Sequence, residues 1–130
     1  MDGLLMDPWR ATEEFGRAMG LPDLSLDSGQ ASLELDAGVT VGLLLCNRDL
    51  LIHVVHPIPH PDDSLARRIL QSAEARDMPG VALQVGSRGT GSEFCLVGAA
   101  RLTESQLSPE SLMKTAERLL AWAERLAQPV

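Results

Sequence analysis

The chain has no tyrosine, and only two phenylalanines and two tryptophans. Stacking platforms for nucleic-acid bases or sugar rings need several aromatic side chains, so ligands of that kind are not expected. Positive charge is scarce as well. Eleven Lys and Arg stand against eighteen Asp and Glu, a net charge of −7. Nucleic acid and anionic membrane surfaces recruit clustered cations, and an acidic chain is poorly suited to either. No apolar run approaches the roughly 18 residues of a membrane span. The opening residues, Met1-Asp2-Gly3-Leu4-Leu5-Met6-Asp7, lack the basic start of a secretory signal. The expected location is the cytoplasm. Only two cysteines occur, Cys46 and Cys95, and a reducing compartment keeps such residues as thiols.

What is present suits a folded domain. Hydrophobic residues make up 45% of the 130, ordinary for a globular protein. Residues 1–130 read as one domain, long enough to bury about two-thirds of its unfolded surface without a disulfide or a metal.

The order of elements follows from periodicity and punctuation. Asp7 and Pro8 open a helix over 7–19, with Trp9, Thr12, Phe15 and Met19 at helical spacing, and Gly20-Leu21-Pro22 ends it. Ala31, Leu33 and Leu35 alternate with Ser32 and Glu34, a half-buried strand. Asp36-Ala37-Gly38 is a short turn into a second strand, Val39 to Cys46. Asn47-Arg48-Asp49 turns the chain into a third, Leu50 to His56. Pro57, Pro59 and Pro61 break the sheet. Asp62-Asp63-Ser64 caps a helix over 64–76, stopped by Pro79-Gly80. A fourth strand runs from Val81 to Val85, Gly86 to Gly91 form a hairpin loop, and a fifth strand returns from Glu93 to Leu102. Ser108 and Pro109 open a last amphipathic helix that ends at Gln128-Pro129-Val130. The fold class is α+β, in the order α-β-β-β-α-β-β-α, with helices packed on an antiparallel twisted sheet.

The second and third strands carry the strongest signal. Val39, Val41, Leu43 and Leu45 face one way and Thr40, Gly42, Leu44 and Cys46 the other. In the next strand Leu50, Ile52, Val54 and His56 oppose Leu51, His53 and Val55. Both faces are largely apolar, whereas a sheet with one wet face alternates cleanly. Something must cover each side: the terminal helices on one, and the middle helix, a second subunit or a bound chain on the other.

Catalytic constellations are weak. His53, His56 and His60 invite a metal reading, but residues 53 and 56 point to opposite faces of a strand, and no second cluster completes a closed site. The Gly86–Gly91 loop has glycines but neither the Lys-Ser/Thr nor the following helix of a phosphate loop. Cys46 as a nucleophile needs His53 or His56 beside it and a lowered pKa. No pair of carboxylates forms a general acid and base. The expectation is a non-enzymatic protein without cofactor or metal.

The segments Glu14-Phe15-Gly16-Arg17-Ala18-Met19-Gly20-Leu21-Pro22 and Ala31-Ser32-Leu33-Glu34-Leu35-Asp36-Ala37-Gly38-Val39-Thr40-Val41 resemble the opening of the small acidic chaperones of bacterial type III secretion (class I, Tir-chaperone-like). Element order, length, acidity and the last helix match over nearly the whole chain. The resemblance implies a cytoplasmic homodimer that binds the unfolded N-terminal region of a secreted effector and keeps it secretion-competent without nucleotide hydrolysis. The secretion apparatus is a further partner on this reading. It also implies an effector groove from the first helix and first three strands, at Phe15, Met19, Leu33, Leu35, Val41, Leu43 and Ile52. The dimer surface falls on the middle helix and later strands, at Leu65, Ile69, Leu70, Ala73, Leu83, Phe94 and Leu96. The competing readings are an α+β adaptor that binds a folded partner and a small metal enzyme using the His53–His60 run.

Overall fold

The structure is a computed structural model that describes residues 7–74 and 82–128, the side chains of 73, 74, 82 and 83 excepted. Helix α1 spans Pro8–Ala18. The Asp7 carboxylate accepts the Arg10 N–H at 2.8 Å, and Pro8 takes the first turn, where an N–H has no partner to lose. Ala11, Thr12 and Phe15 point inward, but Trp9 is 51% exposed and lies off the buried stripe. Past the helix, the Leu21 N–H returns to the Gly16 carbonyl at 2.6 Å. A Cβ at Gly16 would stand 2.6 Å from Leu24 Cβ, so a bare glycine lets the connection fold back over the helix.

Five strands form one sheet: β1 (Gln30–Glu34), β2 (Thr40–Cys46), β3 (Asp49–Pro57), β4 (Ala82–Arg88) and β5 (Cys95–Leu102), in the order β1-β2-β3-β5-β4. Every pairing is antiparallel. The expected meander of β1, β2 and β3 is present. Its first turn is a 3₁₀ turn at Asp36–Gly38 in which both Ala37 (φ 62°) and Gly38 (φ 77°) take the left-handed conformation. The expected hairpin loop at Gly86–Gly91 is corrected. Gly86, Ser87 and Arg88 continue β4 and pair with Val97, Leu96 and Cys95. The turn proper is Gly89 to Phe94, and β5 starts at Cys95, not Glu93. Glycine at 86 suggested a break, yet a strand paired along one side tolerates it.

Helix α2 spans Leu65–Glu74 and α3 spans Pro109–Ala127. Expected features at 75–81 lie outside the described residues. Ser108 and Ser111 form a reciprocal cap at the start of α3, satisfying two otherwise orphaned donors. Trp122 of α3 packs against Gly98 of β5, where a Cβ would clash with Cζ3 and Cε3 of the indole. The Arg68 guanidinium joins α2 to the far end of α3, donating to the Leu126 carbonyl at 2.9 Å and to Asp62 at 3.0 Å. Asp62 is held below its usual carboxyl range, first by the Ser64 hydroxyl.

The core lies between the helices and one face of the sheet. Leu33, Val41, Leu43, Ile52, Val54, Leu96, Ala100 and Leu102 meet Phe15, Leu112, Leu119 and Trp122 there. Leu65 and Ile69 of α2 enter the same cluster. No helix among the described residues is long and apolar enough to cross a membrane.

Candidate functional site

Side chains alternate across a strand, so the register fixes what lies on the sheet's other face. Thr40, Val55 and Val97 share one row, as do Gly42, His53 and Ala99, and Leu44, Leu51 and Arg101. The helices send their buried side chains into the opposite face. On the outer face Leu44, Leu51, Val55, Val97 and Ala99 are each only part-buried. This is the apolar surplus expected from β2 and β3, extended by β5. Contiguous apolar surface of this kind marks an interaction site more often than chance.

His53 sits at the centre of this face. Its ring packs against the Cα of Gly42, where a Cβ would clash with Cε1 and Nε2. Burial, and secondarily the positive charge of Arg88, lower its pKa from the ordinary 6.5. The folded state therefore binds the proton less readily than the unfolded chain. The stability that His53 contributes is complete above its unfolded pKa and is lost as pH falls below it. Urea unfolding at a series of pH values between 8 and 5 should show this fall, and His53→Gln should remove part of the slope. A slope unchanged in that variant would assign the pH dependence elsewhere.

Beside His53 opens a cleft of about 680 Å³, lined by Asp23, Leu24, Ser25 and Asp27 from the α1–β1 connection and by Gln30, Ser32, Gly42 and Leu44 from the sheet. It runs along β1, which pairs only with β2 and so has a free edge. Gln30 exchanges both backbone hydrogen bonds with Asp27, at 2.8 and 3.0 Å. The alternation of the strand then turns the N–H and C=O of Ser32 and Glu34 toward that same edge. Two smaller hollows lie elsewhere on the described surface. One of about 400 Å³ lies between α1 and α3, over Phe15, Ala18 and Met113. The other, about 360 Å³, lies beneath His56, His60 and Arg68.

The expected groove residues separate. Phe15, Leu33, Val41, Leu43 and Ile52 are buried in the core of the single chain. They belong to the inward row of each element, where the helices already cover them. Met19 and Leu35 are part-buried and packed against the core's margin. Of the expected dimer residues, Leu65, Ile69 and Leu96 are likewise buried in the core of the single chain. Leu70 is 68% exposed on α2, and Phe94 is part-buried. The side chains of Ala73 and Leu83 lie outside the described residues.

Other candidate chemistry is placed by the same register. His53 and His56 occupy opposite faces of β3, and among the described residues no three His, Cys, Asp or Glu side chains gather as a metal site would require. Cys46 stands opposite Asp49, whereas His53 stands opposite Gly42, so the histidine is not the thiol's partner. The cleft walls at Asp23 to Asp27 went unforeseen, because a polar loop carries no periodicity to place it.

No protein-family model matches the chain, and no curated protein matches it in sequence. Solved structures share its fold. The ExsC–ExsE complex contains a chain 26% identical to this one, with a TM-score of 0.70 over 94% of this chain and 95% of that one. The Yersinia pestis type III secretion chaperone SycH, solved with a stable fragment of YscM2, is 19% identical with a TM-score of 0.68, over 90% and 97%. The HopA1–SchA chaperone–effector complex gives 16% and 0.68, over 92% of each chain. The chain has the α+β fold of the type III secretion chaperones.

Proposed function

We propose that this chain is a class I type III secretion chaperone: a cytoplasmic, non-enzymatic homodimer that holds the unfolded N-terminal segment of a secreted effector. The observation that carries this reading is the outer face of the sheet. Its apolar rows end at a strand edge whose hydrogen-bonding groups point outward. An extended chain is recognised in just this manner, by backbone bonds at an edge and by surfaces for alternate side chains. The fold likeness supports the same reading, since SycH and SchA were each solved with a bound partner. Masking apolar segments of a client requires no nucleotide. A net charge of −7 keeps a protein with such a surface dispersed.

The test is isothermal titration of the chain with the isolated N-terminal segment of an effector encoded beside it, and separately with that effector's folded domain. Binding to the unfolded segment alone is the expected result. Binding to the folded domain alone would identify an adaptor instead. Sedimentation should return twice the monomer mass, and Leu70→Asp should return the monomer mass with the fold retained. A monomeric wild-type chain at micromolar concentration would remove the dimer from the reading.

A further inference from the structure

The acidic wall of the cleft beside β1 suggests what chemistry a client segment must bring. We infer that Asp23 and Asp27 make this cleft selective for an extended segment carrying lysine or arginine at alternate positions. The inference rests on the chaperone reading and specifies the client for that surface.

The edge comes first. Asp27 closes β1 at Gln30 with two backbone bonds, but this bridge is isolated and the ladder continues no further. Ser32 and Glu34 are left with outward-turned backbone groups and no backbone partner on that side among the described residues. A segment laid along them sends every second side chain over the outer face. There the cleft opens, about 680 Å³, with Asp23 and Asp27 on its far wall.

Charge then decides which side chain enters. Asp23, Asp27 and Glu34 are exposed, and among the described residues the ion pairs involve none of them. The outer face's cations lie across the sheet. Arg88 is on β4, and Arg101 on β5 is already paired to Asp49 at 2.8 Å. The β1 side therefore presents uncompensated negative charge around a cavity whose floor is Leu44 and the His53 ring over Gly42. A long basic side chain suits both features, since its stem packs on apolar surface and its head reaches the carboxylates. An acidic segment meets like charge and is disfavoured.

Panning a random dodecapeptide display library against the full chain tests this. The enriched peptides should carry Lys or Arg at alternate positions among apolar residues. The variant with both Asp23→Asn and Asp27→Asn should bind a selected peptide roughly three- to tenfold more weakly, as expected for two exposed ion pairs. High salt should weaken the wild type similarly. Ser32→Pro, which removes an edge N–H, should abolish binding. In the wild-type complex the Ser32 and Glu34 amides should become protected from hydrogen exchange, whether or not the proline variant folds. Peptides enriched without basic bias, or unaffected by the double asparagine variant, would overturn the charge selectivity and leave the edge reading standing. Binding that leaves both amides unprotected, or a library with no binders, would overturn the edge reading and the selectivity together.

Discussion

With aspartate at both Leu51 and Val55, the chain is expected to fold as before and to bind its partner at least a hundredfold more weakly. Both side chains project from the outer face of β3, where they are part-buried and lie outside the core cluster that the helices pack into. Leu51 stands between Leu44 and Arg101, and Val55 between Thr40 and Val97. An aspartate at either place stays hydrated in the single chain. It is a poor strand former, so the two together should reduce stability by about 1 to 2 kcal/mol. Docking changes the balance. A carboxylate trapped unpaired under apolar cover costs several kcal/mol, and about 2.8 kcal/mol is already a hundredfold in affinity. Titration with the unfolded effector segment reads the loss, and urea denaturation reads the fold. Unchanged affinity would show that the partner docks elsewhere. Collapse of the fold would show that the outer face is part of this chain's own core.

How much of this was legible in the sequence depends on where the determining forces act. The α-β-β-β-α-β-β-α order was readable because each element carries its own period and its own punctuation: Asp7-Pro8 before α1, Ser108-Pro109 before α3, the alternation of Val41 and Leu43 with Gly42 and Leu44. The two apolar faces of β2 and β3 were readable for the same reason. Which face the helices would take was not. Val41-Leu43 and Leu44-Leu51 are equally greasy, and only the long-range docking of the helices on the assembled sheet decides. Phe15, Leu43 and Ile52, groove candidates by sequence, are buried in the core of the single chain. Close approaches escaped notice too. Nothing local announces that Gly98 will seat Trp122 or that Gly42 will seat the His53 ring. The edge at Ser32 and Glu34 emerged only from the backbone bonds between Gln30 and Asp27.

The strongest contrast this fold predicts lies between two neighbouring residues. Leu43→Asp should unfold the chain, and Leu44→Asp should leave it folded. Leu43 is 1% exposed, between Ala31 and Ile52 in the inward row of the sheet. Truncation to alanine there should cost about 2 to 5 kcal/mol through lost contacts and the cavity left behind. Aspartate adds the desolvation of a carboxyl group with no partner, several kcal/mol more even if it takes up a proton. The sum approaches the 5 to 15 kcal/mol that holds a typical domain together. Phe15→Asp on α1 meets the same fate, because Phe15 is also 1% exposed in that core. Leu44 points the opposite way into the cleft, where water can hydrate an added carboxylate. Far-UV circular dichroism and urea titration of the three variants measure the difference. A Leu43→Asp chain that unfolds cooperatively near the wild-type midpoint, while failing to bind an effector segment, would return Leu43 to the client's groove. It would mean that the helices over this face open readily enough to admit one. Loss of the fold at Leu43 and Phe15 together with its survival at Leu44 would leave the outer face as the surface offered to a partner.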